Sequence, residues 1–203
     1  MTTVALATED VLSEALGLRL FSVYLPKIAS PMLLRKDGAG YLRSNLSKWA
    51  QIARRHPVVV LTDLDRLACA SGLLSTWQAS VVWPQDLLLR VAVRTAESWL
   101  LADHDAMRTL IGPRGALPHH PDELAQPKQH LLRLAEKAPR EVQADLLKPR
   151  GAVASQGLGY NNRLSALVRA EWSPQRAALR SPSLERACRR LQELGLRMGM
   201  RPG

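Results

Sequence analysis

The 203-residue chain reads as an α/β protein: a mostly parallel sheet flanked by helices, with a helical, basic C-terminal extension. Three observations predict this. Strand-like and helix-like segments alternate through residues 1–110, the pattern of right-handed βαβ units. VVVLTDLD, starting at Val58, is a continuous apolar run of the kind found in a central parallel strand covered on both faces. Beyond residue 110 the strand signals stop while helical spacing continues, so 1–110 is expected to be the core and 111–203 the extension.

Taken in order, TVALAT (3–8) is a short β-compatible run, and 11–24 places Val11, Leu12, Ala15, Leu16, Leu20 and Val23 at helical spacing. A second strand at 32–34 precedes the break Asp37-Gly38-Ala39-Gly40. Leu42, Leu46, Trp49, Ile52 and Ala53 predict one helix over 41–55, which Pro57 ends. The buried strand follows, then LLLRVAV (87–93) as another strand and 95–110 as a helix. A loop with Gly112, Pro113, Gly115, Pro118 and Pro121 carries His119-His120 at its tip. Helices are expected over 128–137, 140–147, 160–171 and 184–195, split by Pro139, Pro149, Pro174 and Pro182, with Ser181-Pro182-Ser183 as a helix start.

Composition narrows the function classes. Hydrophobic residues make up 46%, too many for a disordered chain. No run approaches the ~18 apolar residues of a membrane span, and the N-terminus lacks the basic region of a signal peptide. Cys69 and Cys188 form neither a disulfide framework nor a metal-ligand spacing. A soluble cytoplasmic protein is the expectation. Lys and Arg number 28 against 18 Asp and Glu, a net +10. Residues 1–150 carry 19 − 15 = +4, while 151–203 carry nine arginines against Glu171, Glu185 and Glu193, a net +6. Arginine suits bidentate phosphate contacts, although the same charges also fit solvated helix faces.

In a parallel sheet, functional groups gather at the carboxyl ends of strands. Glu9 and Asp10 follow the first strand, Asp63 and Asp65 follow VVVLT, and Glu97 lies just past LLLRVAV. Residues i and i+2 of an extended segment point to one side, so Asp63 and Asp65 converge. Such like charges call for a hard divalent cation with oxygen ligands, above all Mg²⁺. The plainer alternative makes Asp10 or Asp65 a helix N-cap.

A strand ending in Glu, then a helix, then an apolar strand ending in DxD resembles the toprim domain. More closely, ATEDVLSEAL, DGAGYLRSNL, VVVLTDLDRLAC, RVAVRTAESWLLAD, PDELAQPK, GLGYNN and SPSLERACRRL, in that order, resemble a family of small toprim-like bacterial proteins. Its members are encoded beside AAA- or ABC-type ATPases in phage-defence loci and are related to OLD-type nucleases. The resemblance implies a Rossmann-like fold and a Mg²⁺-dependent nuclease (Mn²⁺ in its place) acting on DNA or RNA. It also implies an ATPase as partner in a hetero-oligomer. Glu9 matches the toprim glutamate, as general acid/base or metal ligand, and Asp63 and Asp65 match the DxD ligands. Glu97 matches a further acidic ligand, with Asp103 as second choice. Lys128 or Arg94 would neutralise the phosphate. One departure is Asp10, where toprim domains have Gly. The alternative is a non-catalytic subunit that keeps the fold and docks on an ATPase or nucleic acid.

The expected nucleic-acid contacts are Arg94, Arg150, Tyr160, Arg163, Arg186 and Arg190. Plainer roles are also in view for three of the candidate residues: Arg94 as ion-pair partner of Glu97, Lys128 as a surface residue at a helix start, Tyr160 as part of a turn. His104, His119 and His120 lack the partners of a zinc site. GLGYNN (157–162) has glycines that let backbone approach a phosphate but lacks the Lys-Ser/Thr of a P-loop. Trp49, Trp77, Trp99 and Trp172 sit in helical patterns and are expected in the core.

Overall fold

A computed structural model describes residues 3–35, 39–149 and 153–200. Arg150, Arg201 and the Asp37-Gly38 pair lie outside the described residues. Four strands, β1 (Ala5–Thr8), β2 (Met32–Arg35), β3 (Val58–Asp63) and β4 (Leu87–Ala92), form one parallel sheet in the order β2-β1-β3-β4. The α/β class and the parallel sheet are therefore as expected. The central strands β1 and β3 are buried almost throughout, as continuous Val, Leu and Ala runs require.

The crossovers go both ways. Helix α1 (Val11–Tyr24) carries the chain from β1 outward to β2, whereas α2 (Ala39–Ser44) and α3 (Leu46–Ala53) return it past β1 to β3. Helix α4 (Ala70–Gln78) then leads on to β4. The strand order thus reverses between β1 and β3, and in open α/β sheets the crevice at such a switch point takes the ligand. Helices α2, α3 and α4 cover one face, closing a core around Leu42, Trp49, Val60, Trp77 and Leu89. The other face holds α1 and everything after β4: α5 (Ala96–Ala102), α6 (His104–Ile111), a 3₁₀ turn (Pro121–Glu123), α7 (Pro127–Ala135), α8 (Arg140–Leu146), α9 (Tyr160–Ala170), α10 (Pro174–Ala178) and α11 (Pro182–Arg197).

The extension shares that core. Leu6, Leu16, Trp99, Leu131, Leu164, Trp172 and Leu191 belong to one buried cluster, so the change at residue 110 is a change of layer within a continuous interior. Helix α11 comes close enough to α1 that a Cβ on Gly195 would stand 2.5 Å from the Tyr24 carbonyl oxygen, so only glycine fits. All four tryptophans expected in the core are buried.

Two expected helices are each two. The 41–55 segment breaks at Asn45, whose side-chain amide donates to the Tyr41 carbonyl at 2.9 Å. The 95–110 segment breaks at Asp103, which leaves helical backbone and caps α6 through the Ala106 N–H. Helices α4 and α10 add to the expected set. The first shows only Leu73 and Trp77 as its buried stripe, and the second begins at Pro174, a first-turn proline and not a break. Ser181 caps α11 as expected, accepting from the Leu184 N–H at 3.2 Å. Among the described residues no helix is long and apolar enough to cross a membrane.

Candidate active site

Glu9 follows β1 and Asp63 ends β3, so the two carboxylates flank the switch point. Glu97 enters from the first turn of α5 and is 6% exposed. Asp10, Asp65, Glu9 and Glu97 all lie near enough to act electrostatically on Asp63, but Asp65 lies past the end of β3 on left-handed backbone (φ +51°), so the extended i, i+2 geometry expected to aim it alongside Asp63 is absent. Burial first, and then Glu97, Asp10, Glu9 and Asp65, push the Asp63 carboxyl well above the usual carboxylate range. Its carboxylate accepts no hydrogen bond from the described residues. Burial also raises the Glu9 carboxyl, opposed by a hydrogen bond from the Thr62 hydroxyl and one from the Asp63 backbone, with Asp65 and Asp10 adding repulsion.

The loops that carry these groups are locked together. Asp65 (φ +51°) and Arg94 (φ +57°) both adopt left-handed backbone, uncommon for non-glycine residues and costly for a side chain as large as arginine. They are paired across the loops after β3 and β4, where the Asp65 N–H donates to the Arg94 carbonyl at 2.8 Å. In return Arg94 Nη1 donates to the carbonyls of Asp65 (3.2 Å) and Leu67 (2.9 Å). Arg94 is therefore a clamp on the DxD loop through Nη1 and not an ion-pair partner of Glu97, while it also lines the neighbouring cleft. The left-handed turn leaves Asp65 exposed, at a cleft of about 400 Å³ that Arg66, Arg94, Thr95, Gln126 and Lys128 also line. The N-cap of α4 is Cys69, so Asp65 has no capping duty. Asp10 does: it accepts from the Ser13 N–H at 2.7 Å. Its backbone is extended (φ −148°), so a residue other than glycine sits at this corner without strain.

Tyr160 corrects an expectation. Its side chain is 1% exposed, so its ring offers no stacking face to nucleic acid. Instead its hydroxyl donates to Glu97 Oε1 at 2.8 Å, and Lys128 Nζ sits 5.1 Å from its ring centroid. Lys128, in the first turn of α7 and half-buried, thus stands between the acidic pocket and the cleft. Tyr160→Phe is expected to keep the packing but leave Glu97 without its donor. A loss of about 1.5–3 kcal/mol in urea denaturation would register that charged hydrogen bond, and an unchanged midpoint would show that it contributes nothing.

Other expected contacts are spent inside the chain. Arg163 is held by Asp145 at 2.7 Å, through both Nε and Nη2, which takes up its planar fork. Asp103, the second choice as ligand, is fully buried and bound by Arg176 on two edges at 2.8 Å, so it is a structural acid. The GLGYNN glycines serve packing: a Cβ on Gly157 would stand 2.3 Å from the Asp145 carbonyl oxygen. His104 is tied to the Pro118 carbonyl at 3.0 Å and fixes the loop before the 3₁₀ turn. Arg190 pairs with Glu193 at 2.7 Å, while Arg186 is exposed with no partner among the described residues.

The chemistry of this donor set suits a hard divalent cation: a half-buried carboxylate with no partner among the described residues, near four further acids. Glu9, Asp63, Asp65 and Glu97 would hold it, although among the described residues no three acidic, His or Cys side chains already stand in ligand geometry. No protein-family model, curated protein or solved structure significantly matches the chain.

Proposed function

We propose that the chain is a metal-dependent toprim-type nuclease acting on DNA or RNA phosphodiesters. The observation that carries this reading is the Asp63 carboxylate, set at the switch point with no hydrogen-bond donor among the described residues and with Glu9, Asp10, Asp65 and Glu97 near it. A bound Mg²⁺ or Mn²⁺ would polarise the phosphodiester and make hydroxide available at neutral pH. The chain's own groups do the rest. Thr62 and Tyr160 orient Glu9 and Glu97, Arg94 holds the DxD loop in its strained form, and Lys128 brings positive charge to the cleft where phosphate charge would build up. The family resemblance adds an AAA- or ABC-type ATPase as partner and an anti-phage role in the cytoplasm.

The test is incubation of purified protein with labelled DNA and tRNA in Mg²⁺ or EDTA, alone and with the neighbouring ATPase. Cleavage that needs Mg²⁺ and falls by at least ~100-fold in Glu9→Gln supports the reading. Robust cleavage by that variant would sink it. Binding without turnover in every condition would assign the chain instead to a non-catalytic subunit on the same fold.

A further inference from the structure

Helix α11 lies antiparallel along the edge strand β4. At one end the Val93 N–H meets Ser183 Oγ at 3.4 Å, and at the other Arg197 Nη2 meets Asp86 Oδ1 at 3.0 Å. Midway along this seam Arg90 points from β4 to the helix, on the face shared with Leu88 and Ala92. Its Nε is buried with no acceptor among the described residues. The charges that act on it are three arginines of α11, Arg186, Arg189 and Arg190, and one acid, Glu193. Glu193 is already engaged by Arg190, and Glu185 stands 3.7 Å from Arg189. Arg186 and Arg90 are in no ion pair among the described residues. Burial first, and then the three arginines against the pull of Glu193, bring the Arg90 guanidinium down to about 10, a sign of how poorly its charge is compensated.

A seam that gathers five guanidiniums around three acids, with Arg90 half-buried and in no ion pair among the described residues, is built for an anion supplied from outside. Its position says which anion. Arg90 is two residues, about 7 Å of strand, from Ala92, whose register partner is Asp63. Arg186 and Arg190 lie about 6 Å apart on one face of α11, with Arg186 toward the acidic end of the sheet; the Arg190–Glu193 pair is a surface one (47% and 39% exposed), which phosphate can displace. A chain of phosphates leaving the acidic pocket would run along this seam. We infer that Arg90, Arg186 and Arg190 form a phosphate-binding groove between β4 and α11 that holds the nucleic-acid backbone beside the catalytic pocket. The inference rests on the nuclease reading for the identity of the anion, and its own content is where the backbone docks.

Anisotropy titration with fluorescent 20-nucleotide DNA and RNA strands in EDTA, over a range of salt, separates docking from cleavage. Arg186→Ala/Arg190→Ala is expected to weaken binding by on the order of 10–100-fold and to lower the slope of log K against log salt by about 2, one for each lost phosphate contact. Arg90→Lys, which keeps the charge but loses the fork, weakens binding without unfolding the chain. Arg169→Ala, at an exposed arginine of α9, leaves affinity unchanged. Unchanged affinity and slope in the double variant would overturn the groove while Mg²⁺-dependent cleavage still upheld the nuclease. Arginine-dependent binding with no cleavage would uphold the groove and overturn the nuclease. If the wild-type chain bound neither strand, the groove for nucleic acid would be overturned and the seam would fall to an acidic protein partner.

Discussion

Asp63→Asn is expected to lose metal-dependent cleavage by ~10³-fold or more, and at neutral pH to be more stable than the wild type without metal. The two outcomes have one cause. Asp63 is half-buried, has no donor among the described residues, and is crowded by Glu97, Asp10, Glu9 and Asp65, so its folded pKa lies above the unfolded value near 3.8. A group of this kind contributes stability that is fully present below the unfolded pKa and is lost as pH rises through the folded one. The sign is opposite to that of an ordinary salt-bridged aspartate. The asparagine variant should therefore melt above the metal-free wild type at pH 8, and the gap should close as pH falls toward 4. Mg²⁺ reverses the ranking by stabilising the charged carboxylate, so it should raise the wild-type melting temperature and leave the variant where it was. Calorimetry at several pH values, with EDTA or Mg²⁺, reads all of this in one series. A variant less stable than metal-free wild type at pH 8 would mean that Asp63 has a stabilising partner, and the cation site would lose its main support.

Asp63 also shows what could be read from the chain before its fold was known. A continuous Val-Leu run implies a strand covered on both faces, and a carboxylate at its carboxyl end is then placed by topology alone. The same logic located Glu9 and Glu97. Long-range partners follow no such local rule. Nothing in the spacing of GLGYNN says that Tyr160 turns inward to Glu97, 63 positions earlier, or that Gly157 is there to make room for the backbone of α8's last turn. The arginines of the extension show the same limit. Composition counts nine, but Arg163, Arg176, Arg189, Arg190 and Arg197 are in ion pairs within the chain, and Arg180 reaches the Ala102 carbonyl at 3.4 Å. The cationic surface that remains is smaller and more localised than the net charge implies. Arg90, which the apolar pattern of LLLRVAV hides as a lone charge in a strand, is half-buried beneath α11 beside these arginines.

The largest loss of stability is expected far from the chemistry, at the Asp103–Arg176 pair. Asp103 is fully buried where α5 gives way to α6, and it accepts from the Ser173 N–H at 2.7 Å, Arg176 Nε and Nη2 at 2.8 Å each, and the Ala106 N–H at 3.4 Å. Arg176 reaches it from α10 and spends a further bond, 2.7 Å, on the Glu171 carbonyl. One carboxylate thus closes the helix break and pins the turn between α9 and α10 against α5. Its neighbour Asp105, 3.4 Å from the same guanidinium but 79% exposed, adds little. Arg176→Ala leaves the Asp103 charge buried with only two backbone donors, and removing one partner of a buried pair costs about 3–5 kcal/mol. Asp103→Ala strands the Ser173 N–H but frees an arginine that is already 41% exposed and can turn to water, so it should cost less. The double variant should then be more stable than Arg176→Ala alone, because the uncompensated charge is gone. Urea denaturation of the cycle decides it: additive losses would mean that the two side chains act independently. Because Asp103 is shut away from solvent, the coupling should persist in 0.5 M salt, where a surface ion pair would be screened.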